Sequence, residues 1–145
     1  MSHDPQRTAD LVEITHLCAR YLAYASQYVP DRWLTVFTPD VEYSAFGAKY
    51  SVDRMTQLLA AAPRGQFIAN MPVIDFDGPD RATGMQHFVF IDQQTHAMRL
   101  AWYTDEYVRT PDGWRIRRRS TTFMRKKGGY DSGRQHDPLS DPNSE

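Results

Sequence analysis

The spacing of apolar positions divides the chain into a helical first half and a strand-rich second half. Apolar side chains recur every three or four residues between residues 11 and 25, which is typical of the buried face of a helix. Asp4 or Thr8 is the predicted N-cap of this helix. Shorter helices are predicted over Arg32–Phe37 and Val52–Ala62. The buried stripe of the first helix is predicted to contain Leu11, Ile14, Leu17, Cys18, Tyr21, Leu22 and Ala25.

Apolar and polar residues alternate after the third helix, which is typical of strands. Pro111-Asp112-Gly113 predicts a tight reversal between the last two strands, because Pro fixes φ and Gly accepts a positive φ. Strands are predicted over Val41–Phe46, Gln66–Phe76, Arg81–Ile91, Ala97–Arg109 and Trp114–Lys127, with a turn over Thr38–Asp40. This order predicts an α+β fold, in which an antiparallel meander of four strands and one short strand pack on three helices.

The length and composition indicate one domain. The 145 residues are enough for a single core, predicted over residues 8–127 between a flexible N-terminus (1–7) and a polar, mobile tail (128–145). Cys18 is the only cysteine, which excludes a disulfide framework. No apolar run approaches the roughly 20 residues that span a membrane. The first residues also lack the apolar region of a signal peptide, so a cytoplasmic protein without a membrane partner is expected.

Positive charge is concentrated near the end of the predicted domain. Residues 115–127 contain seven Arg and Lys side chains and no Asp or Glu. On a strand these side chains alternate between faces and can pair with acids such as Asp105 and Glu106 on the neighbouring strand. We therefore expect no nucleic-acid partner. Neither a metal nor a cofactor is predicted, because no ligand pair has the spacing of a metal site and no glycine-rich loop precedes a helix.

Short motifs along the chain carry a resemblance to a known family. They are Arg20-Tyr21, Phe37-Thr38-Pro39-Asp40, Asn70, Tyr103-x-Asp105 and Asp112-Gly113-Trp114-Arg115-Ile116. Over roughly residues 8–125 the chain resembles the SnoaL-like branch of the nuclear transport factor 2-like superfamily. The resemblance implies a cone, in which a strongly curved antiparallel sheet wraps helices around one deep, mostly apolar pocket. Members include dehydratases, a dehydrochlorinase, polyketide cyclases, steroid isomerases and small subunits of ring-hydroxylating dioxygenases, so the fold does not determine the function.

The catalytic pair of the dehydratase-like members is missing from this chain. Those members use a Tyr and an Asp of the first helix and a His on the strand after the third helix, where the His abstracts a proton. The resemblance puts Tyr21 at the Tyr position. Ser26 stands five residues on, where the Asp is expected, and Gln66 or Phe67 stands where the His is expected. No base is carried over from the family.

Asp105 is the candidate that replaces the missing base. It shares a strand face with Tyr103, and the predicted register places Arg119 opposite it. An Arg partner would make Asp105 a structural tether, whereas burial without that partner would favour acid–base chemistry. Both alternatives are open at this point. His87 falls on the opposite face of its strand from Gln86, which predicts a packing or dimer surface instead of a catalytic position.

Taken together, the inward-facing polar and aromatic residues define a predicted site. The catalytic candidates are Asp105, Tyr21, Tyr103 and Gln86, and the candidate substrate-binding residues are Ser26, Trp33, Phe67, Asn70, Phe90 and Arg119. We expect a cofactor-free lyase, isomerase or cyclase that transfers protons on a hydrophobic, oxygenated substrate such as a polyketide, terpenoid or steroid. The alternative is a non-catalytic ligand-binding or accessory subunit, similar to a dioxygenase small subunit. A homodimer through the open face of the sheet is expected in either case.

Overall fold

The computed structural model describes residues 4–126 and 128–131, and these contain three helices and eight strands. In chain order they are α1 (Pro5–Gln27), α2 (Pro30–Leu34), β1 (Phe37–Ala45), β2 (Ala48–Tyr50), α3 (Val52–Ala61), β3 (Gly65–Ala69), β4 (Val73–Phe76), β5 (Arg81–Asp92), β6 (Met98–Thr110), β7 (Gly113–Met124) and β8 (Tyr130–Asp131). The α+β fold, with one curved sheet around the helices, is confirmed. None of the described helices is long and apolar enough to cross a membrane.

Helix α1 begins at the earlier of its two predicted N-caps. Asp4 is its N-cap, and the Asp4 side chain accepts a hydrogen bond from the backbone N–H of Gln6 at 3.0 Å. Pro5 occupies the first turn, where its missing N–H leaves no bond unmade. The helix therefore includes residues 5–7, which the sequence assigned to a flexible N-terminus. Of the tail predicted from residue 128, the described part includes β8, and residues 132–145 lie outside the described residues.

The buried face of α1 matches the predicted stripe except at its first position. Leu11 is 42% exposed, whereas Asp10 is 3% exposed. Asp10 is buried because its carboxylate accepts hydrogen bonds from Trp114 Nε1 at 3.1 Å and from Arg109 Nη2 at 2.8 Å. A carboxylate can be buried when it has such partners, and a pattern of apolar residues does not detect it. The pattern therefore predicted Leu11 at the buried position that Asp10 occupies.

The strand order is β2-β1-β7-β6-β5-β3, with β4 also paired to β5 and β8 to β7. The β5–β6–β7 meander is antiparallel, as predicted. β1, however, runs parallel to β7, so the sheet is mixed and not wholly antiparallel. Parallel neighbours need a long connection. The chain between β1 and β7 provides it, because it includes α3 and the strands β2 to β6.

Several element boundaries differ from the prediction. The predicted turn at Thr38–Asp40 lies inside β1, whose pairing with β7 shifts register between Phe37 and Glu42. The predicted strand over residues 66–76 is divided into β3 and β4 around Pro72, which has no N–H for a ladder bond. The short strand β2 was not predicted. The turn that leads into it, Phe46-Gly47, has a positive φ at both residues, which is typical of a two-residue hairpin.

The inward side chains of β5, β6 and β7 form rows across the sheet, because the antiparallel register places them side by side. From the β5–β6 turn inward, the rows are Phe90 and Arg99; Phe88, Ala101 and Phe123; Gln86, Tyr103 and Thr121; then Gly84, Asp105 and Arg119. Tyr43 of β1 pairs with Arg119 in the last row. The predicted tight turn is confirmed, with Gly113 at φ 104°. These rows position the candidate site.

Candidate active site

A cavity of about 70 Å³ lies inside the cone. Its inner wall consists of the fully buried aromatic side chains of Tyr21, Trp33, Tyr43 and Tyr103. At its other end the lining residues are partly exposed: Phe46, Ala62, Pro63, Phe67 and Arg99. The rest of the wall is formed by Ala25, Ala45, Leu58, Leu59, Phe88, Phe90, Thr121 and Phe123. The cavity is thus apolar, with hydroxyl groups at its buried end.

Three tyrosines form a cluster at the buried end of the cavity. The hydroxyls of Tyr21 and Tyr43 are hydrogen-bonded at 2.6 Å, and the rings of Tyr21 and Tyr103 meet edge to face at 5.3 Å. Tyr103 lies within hydrogen-bonding reach of Tyr21, and Thr121 within reach of Tyr43. We refer to Tyr21, Tyr43 and Tyr103 as the tyrosine cluster.

Burial raises the pKa of all three phenols of the tyrosine cluster well above the ordinary value of 10.0. A charged phenolate would lose its hydration here, and a neighbouring phenol adds to the effect in each case. The positive charge of Arg119 acts in the opposite direction on each phenol but does not outweigh burial. The cluster therefore remains a set of neutral hydrogen-bond donors across the physiological pH range.

A buried cation lies directly behind the tyrosine cluster. The guanidinium carbon of Arg119 is 4.2 Å from the ring centroid of Tyr21 and 4.0 Å from that of Tyr103, so the cation stacks against both rings. Arg119 binds Asp105 through two hydrogen bonds, from Nε to Oδ1 and from Nη2 to Oδ2, both at 2.7 Å. Burial opposes the charged form of Arg119, but attraction by the Asp105 carboxylate and the hydrogen bonds that Arg119 donates to it help to raise the pKa of Arg119 well above the ordinary value.

Asp105 is held on both of its carboxylate oxygens. Besides Arg119, the Tyr107 hydroxyl donates to Oδ2 at 2.6 Å, and both side chains of the ion pair are 0% exposed. Gly84, opposite Asp105 on β5, leaves the space that Tyr107 needs: a Cβ there would lie 2.7 Å from the Tyr107 ring. Asp105 does not line the cavity. Of the two alternatives for this residue, the contacts match the structural tether.

The ten predicted site residues divide into two groups. Five line the cavity: Tyr21, Trp33, Phe67, Phe90 and Tyr103. Five do not line it: Ser26, Asn70, Gln86, Asp105 and Arg119. The register that places Asp105 opposite Arg119 is confirmed, but the prediction that this pair lines the cavity is wrong. The pair lies one row deeper, behind the rings of the tyrosine cluster.

The other three residues that do not line the cavity connect elements of the fold. The Ser26 hydroxyl accepts a hydrogen bond from the backbone N–H of Phe67 at 3.0 Å, which joins α1 to β3. Asn70 has an exposed side chain, and its backbone carbonyl accepts from Gln86 Nε2 at 3.0 Å. Ser26 therefore holds the strand against the helix at the position where the family has its Asp.

The sequence reasoning omitted several lining residues, chiefly Tyr43, Phe88, Thr121 and Arg99. The alternation that puts Gln86 and Phe90 on the inward face of their strand also puts Phe88 there, and the same period from Arg119 could have found Thr121. Tyr43 comes to the cavity through the parallel pairing of β1 with β7. His87 is exposed on the outer face, stacked against Trp102 at 5.4 Å, so the predicted parity is confirmed.

The acids and bases available to the cavity are few. Among the described residues, no His, Asp or Glu lines it, and Arg99 is its one charged lining residue. The described residues also contain no group of three His, Cys, Asp or Glu side chains that could hold a metal ion. What the arrangement can do chemically is donate hydrogen bonds from neutral phenols to an oxygen atom in an otherwise apolar environment.

Comparison with known sequences decides the family. The SnoaL-like domain profile matches residues 6–120. The chain belongs to the SnoaL-like domain family. An uncharacterized protein of Mycobacterium tuberculosis H37Rv, Rv2910c, is 34% identical over 125 residues, which are 79% of this chain and 85% of that protein. The resemblance inferred from the motifs is thus confirmed.

Solved structures support the same fold for this SnoaL-like domain. A variant of Rv3472, a Mycobacterium tuberculosis protein of unknown function, superposes with a TM-score of 0.75 at 22% identity, over 83% of this chain and 75% of that chain. A hexachlorocyclohexane dehydrochlorinase, LinA type 2, superposes with a TM-score of 0.73 at 17% identity, over 96% of this chain and all (100%) of that chain. At these identities the likeness concerns the fold alone.

Proposed function

We propose that this SnoaL-like domain is a cofactor-free lyase, isomerase or cyclase that binds the oxygen-bearing end of a hydrophobic molecule in its cavity. The observation that carries the proposal is the tyrosine cluster, three neutral phenols at the buried end of an otherwise apolar cavity. Apolar walls favour a hydrophobic body, and the phenols favour an oxygen at its inner end. The dehydrochlorinase with a similar fold carries out an elimination, which is compatible with this class of reaction.

The tyrosine cluster would act by stabilising negative charge on the substrate oxygen. When a carbon next to a carbonyl loses a proton, charge develops on the oxygen, and a donor fixed at that oxygen lowers the barrier. The Arg119 cation behind the rings of Tyr21 and Tyr103 makes these hydroxyls better donors, because its charge stabilises the negative charge that a phenol oxygen gains as its proton is shared. Removal of one such donor typically costs about 10²–10³ in kcat.

The walls also limit which substrates fit this chemistry. Since no carboxylate or imidazole of the described residues lines the cavity, the proton removed from the substrate carbon passes to solvent water, and the negative charge left on the substrate oxygen is stabilised by the phenols. The reactions that suit such a site have an acidic C–H bond or a good leaving group, so that charge on oxygen is the main obstacle. Tautomerisation of an activated ketone and elimination beside a carbonyl both meet this condition.

The volume restricts how much of a substrate the cavity encloses. At about 70 Å³ it is about half the size of an apolar cavity of roughly 150 Å³ that holds benzene. A polyketide, terpenoid or steroid would insert its functional end only. The remainder would extend past the partly exposed side chains of Phe46, Pro63 and Phe67.

A second candidate function is favoured by the Asp105–Arg119 pair. The one buried carboxylate near the cavity is fully engaged by Arg119 and Tyr107, as in a structural network. A ligand-binding or accessory protein would need the cavity and the tyrosine cluster but no base. The two candidates agree on where a ligand binds and differ on whether the walls accelerate a reaction.

Hydrogen–deuterium exchange separates the two candidates without knowledge of the natural substrate. Cyclopentanone incubated with the protein in D₂O exchanges the protons beside its carbonyl, and mass spectrometry measures the deuterium gained. An enzyme should exceed the buffer rate, and Tyr21→Phe should reduce the excess about 10²–10³-fold. Tyr130→Phe, at an exposed residue on β8, is the matched control and should change nothing. Binding without exchange above the buffer rate would favour the accessory protein.

We also propose that a second copy of the chain covers the outer face of the sheet. Ile68, Met85 and Leu100 are 47%, 40% and 45% exposed there, and Val89 lies between Ile68 and Leu100 in the register. The ion pairs of Arg118 with Glu42 and Glu106 border this apolar area with both signs of charge. An apolar centre with such a border is typical of a homodimer interface.

Light scattering tests the homodimer. Leu100→Glu should convert the protein to a monomer, whereas Leu11→Glu, an equally exposed apolar position on α1, should leave the dimer intact. A wild-type protein that is monomeric at micromolar concentration would contradict the proposal.

A further inference from the structure

The indole N–H of Trp33 is an unused hydrogen-bond donor at the cavity. Trp33 of α2 lines the cavity and is 2% exposed, yet its Nε1 has no hydrogen-bond partner among the described residues. A buried indole N–H ordinarily has one. Trp114 illustrates the rule in the same core, since its Nε1 donates to Asp10 at 3.1 Å.

The aromatic neighbours of Trp33 fix the position of its indole ring. Phe37 packs edge-on at 5.1 Å between ring centroids, and Tyr21 and Tyr43 lie at 5.7 and 6.2 Å. None of these neighbours accepts a hydrogen bond from Trp33 Nε1. With the ring held on these sides, rotation of Trp33 toward a distant acceptor would disrupt the packing of the inner wall. The cavity is the remaining source of an acceptor for this group.

Trp33 differs in this respect from the tyrosine cluster. The hydroxyls of Tyr21 and Tyr43 are already bonded to each other at 2.6 Å, so an incoming oxygen has to compete with that bond. The Trp33 N–H is unpaired before the ligand arrives, and a ligand that pairs it gains a hydrogen bond without breaking one. A carbonyl oxygen has two lone pairs and can accept from Trp33 and from a phenol together.

We propose that Trp33 is the specificity-determining residue of the cavity, and that its indole N–H binds the acceptor oxygen of the ligand. The ligand class is an apolar molecule with a carbonyl oxygen at its inner end, selected over a hydrocarbon of the same shape. The inference rests on the proposed function in taking the same cavity as the ligand site. It adds the donor that orients the oxygen toward α2.

A matched pair of probes tests this role by NMR on the full-length protein. Cyclopentanone and methylenecyclopentane have nearly the same shape, but only the ketone has an acceptor oxygen. The indole resonance of Trp33 is assigned by its loss in Trp33→Phe. We expect the ketone to move this proton resonance downfield and the hydrocarbon to leave it in place. The Trp114 indole, already bonded to Asp10, is the internal reference and should not move.

The ratio of the two affinities is the second readout. Trp33→Phe should weaken cyclopentanone binding about 3- to 10-fold relative to methylenecyclopentane, the loss expected for one neutral hydrogen bond. Trp102→Phe, on the outer face of the sheet, is the control and should leave the ratio unchanged. An equal loss for both probes in Trp33→Phe would mean that the ring only packs, and would overturn the inference.

The NMR outcomes also separate this inference from the proposed function. If the ketone shifts the ring resonances of Tyr21 and Tyr43 while the Trp33 indole stays in place, Trp33 is not the anchor and the cavity remains the ligand site. If neither probe shifts any lining residue at the highest soluble concentration, both proposals are wrong.

Discussion

The inner face of the sheet contains two adjacent layers of side chains, a cavity layer and a deeper layer, whose polar groups differ. In the cavity layer, Tyr103 and Phe88 leave a space, and the polar atoms at its end are neutral hydroxyls. In the layer beneath, Asp105, Arg119 and Tyr107 fill the space with bidentate and hydroxyl hydrogen bonds. The Asp105 carboxylate is paired on both oxygens, although Nη1 of Arg119 has no hydrogen-bond partner among the described residues. The neutral donors, in contrast, border the cavity. A charged residue in the core of this cone therefore indicates architecture, and the candidate chemistry is assigned to the phenols.

The largest effect is expected when the charge of Asp105 is removed from the deeper layer. Asp105→Asn should destabilise the protein by about 3–5 kcal/mol, because Arg119 would remain buried without its counter-ion. Thermal unfolding measures the loss, and cyclopentanone exchange should persist at temperatures where the variant is folded. Glu106→Gln, on the exposed face of the same strand, is the matched control, since exposed pairs contribute about 1 kcal/mol or less.

One result would reassign Asp105, and a second would identify the cause of the lost stability. A variant that melts normally but has lost exchange activity would make Asp105 a catalytic group after all. If Asp105→Asn combined with Arg119→Met restores stability, the cost of the single change came from the stranded cation, as expected when an apolar residue replaces a buried charge.

A smaller loss of stability is expected when a larger residue is placed in the deeper layer. Gly84→Ala would bring a Cβ to 2.7 Å from the Tyr107 ring and 2.8 Å from its hydroxyl oxygen, where Tyr107 binds Asp105. Overpacking of this kind typically costs about 1–3 kcal/mol. Gly129→Ala is the control, because no other heavy atom lies within 4 Å of its Cβ position. Equal denaturant midpoints for the two variants would show that Tyr107 can move aside freely.

Much of both layers could be predicted from the sequence, because each depends on local signals. A period of two along β5 and β6 places Gln86, Phe90, Tyr103 and Asp105 on the inward face. The Pro111-Asp112-Gly113 turn sets the pairing of β6 with β7 from Thr110–Gly113 to Tyr107–Ile116. Arg119 comes opposite Asp105 only through a one-residue register shift between Glu106 and Tyr107. The short-range pattern identified these residues, but not which of the rows would leave a space.

The rest could not be predicted, because it depends on pairings between distant parts of the chain. Tyr43 reaches the cavity only through the parallel pairing of β1 with β7, which no local pattern encodes. Asn70 was assigned to a continuous strand that in fact breaks near Pro72, so its side chain is exposed. The depth of Asp105 behind the rings follows from the stacking of Arg119 between Tyr21 and Tyr103, which is a tertiary contact.

Alkaline titration tests whether the phenols of the cavity layer stay neutral in the folded protein. Burial raises the pKa of Tyr21, Tyr43 and Tyr103, so between about pH 10 and the higher pKa of the folded state the folded protein binds more protons than the unfolded chain. The stability due to the neutral phenols is therefore fully present below about pH 10 and falls as the pH rises above it. For each such phenol the slope rises through this window toward about 1.4 kcal/mol per pH unit as the unfolded phenol becomes fully ionised.

Tyr103→Phe should consequently make the decline of the unfolding free energy between pH 10 and 11 smaller by about 1 kcal/mol, because the unfolded phenol is only half ionised at pH 10. Urea unfolding at a series of pH values measures the slope. Tyr130→Phe, which removes a phenol that is 68% exposed in the folded protein, is the control and should leave the slope as in the wild type. A wild-type slope in Tyr103→Phe would mean that this phenol ionises as readily in the folded cavity as in the unfolded chain. The cavity layer would then be wetter and more polar than its apolar walls indicate, and the argument for neutral phenols as the donors would fail.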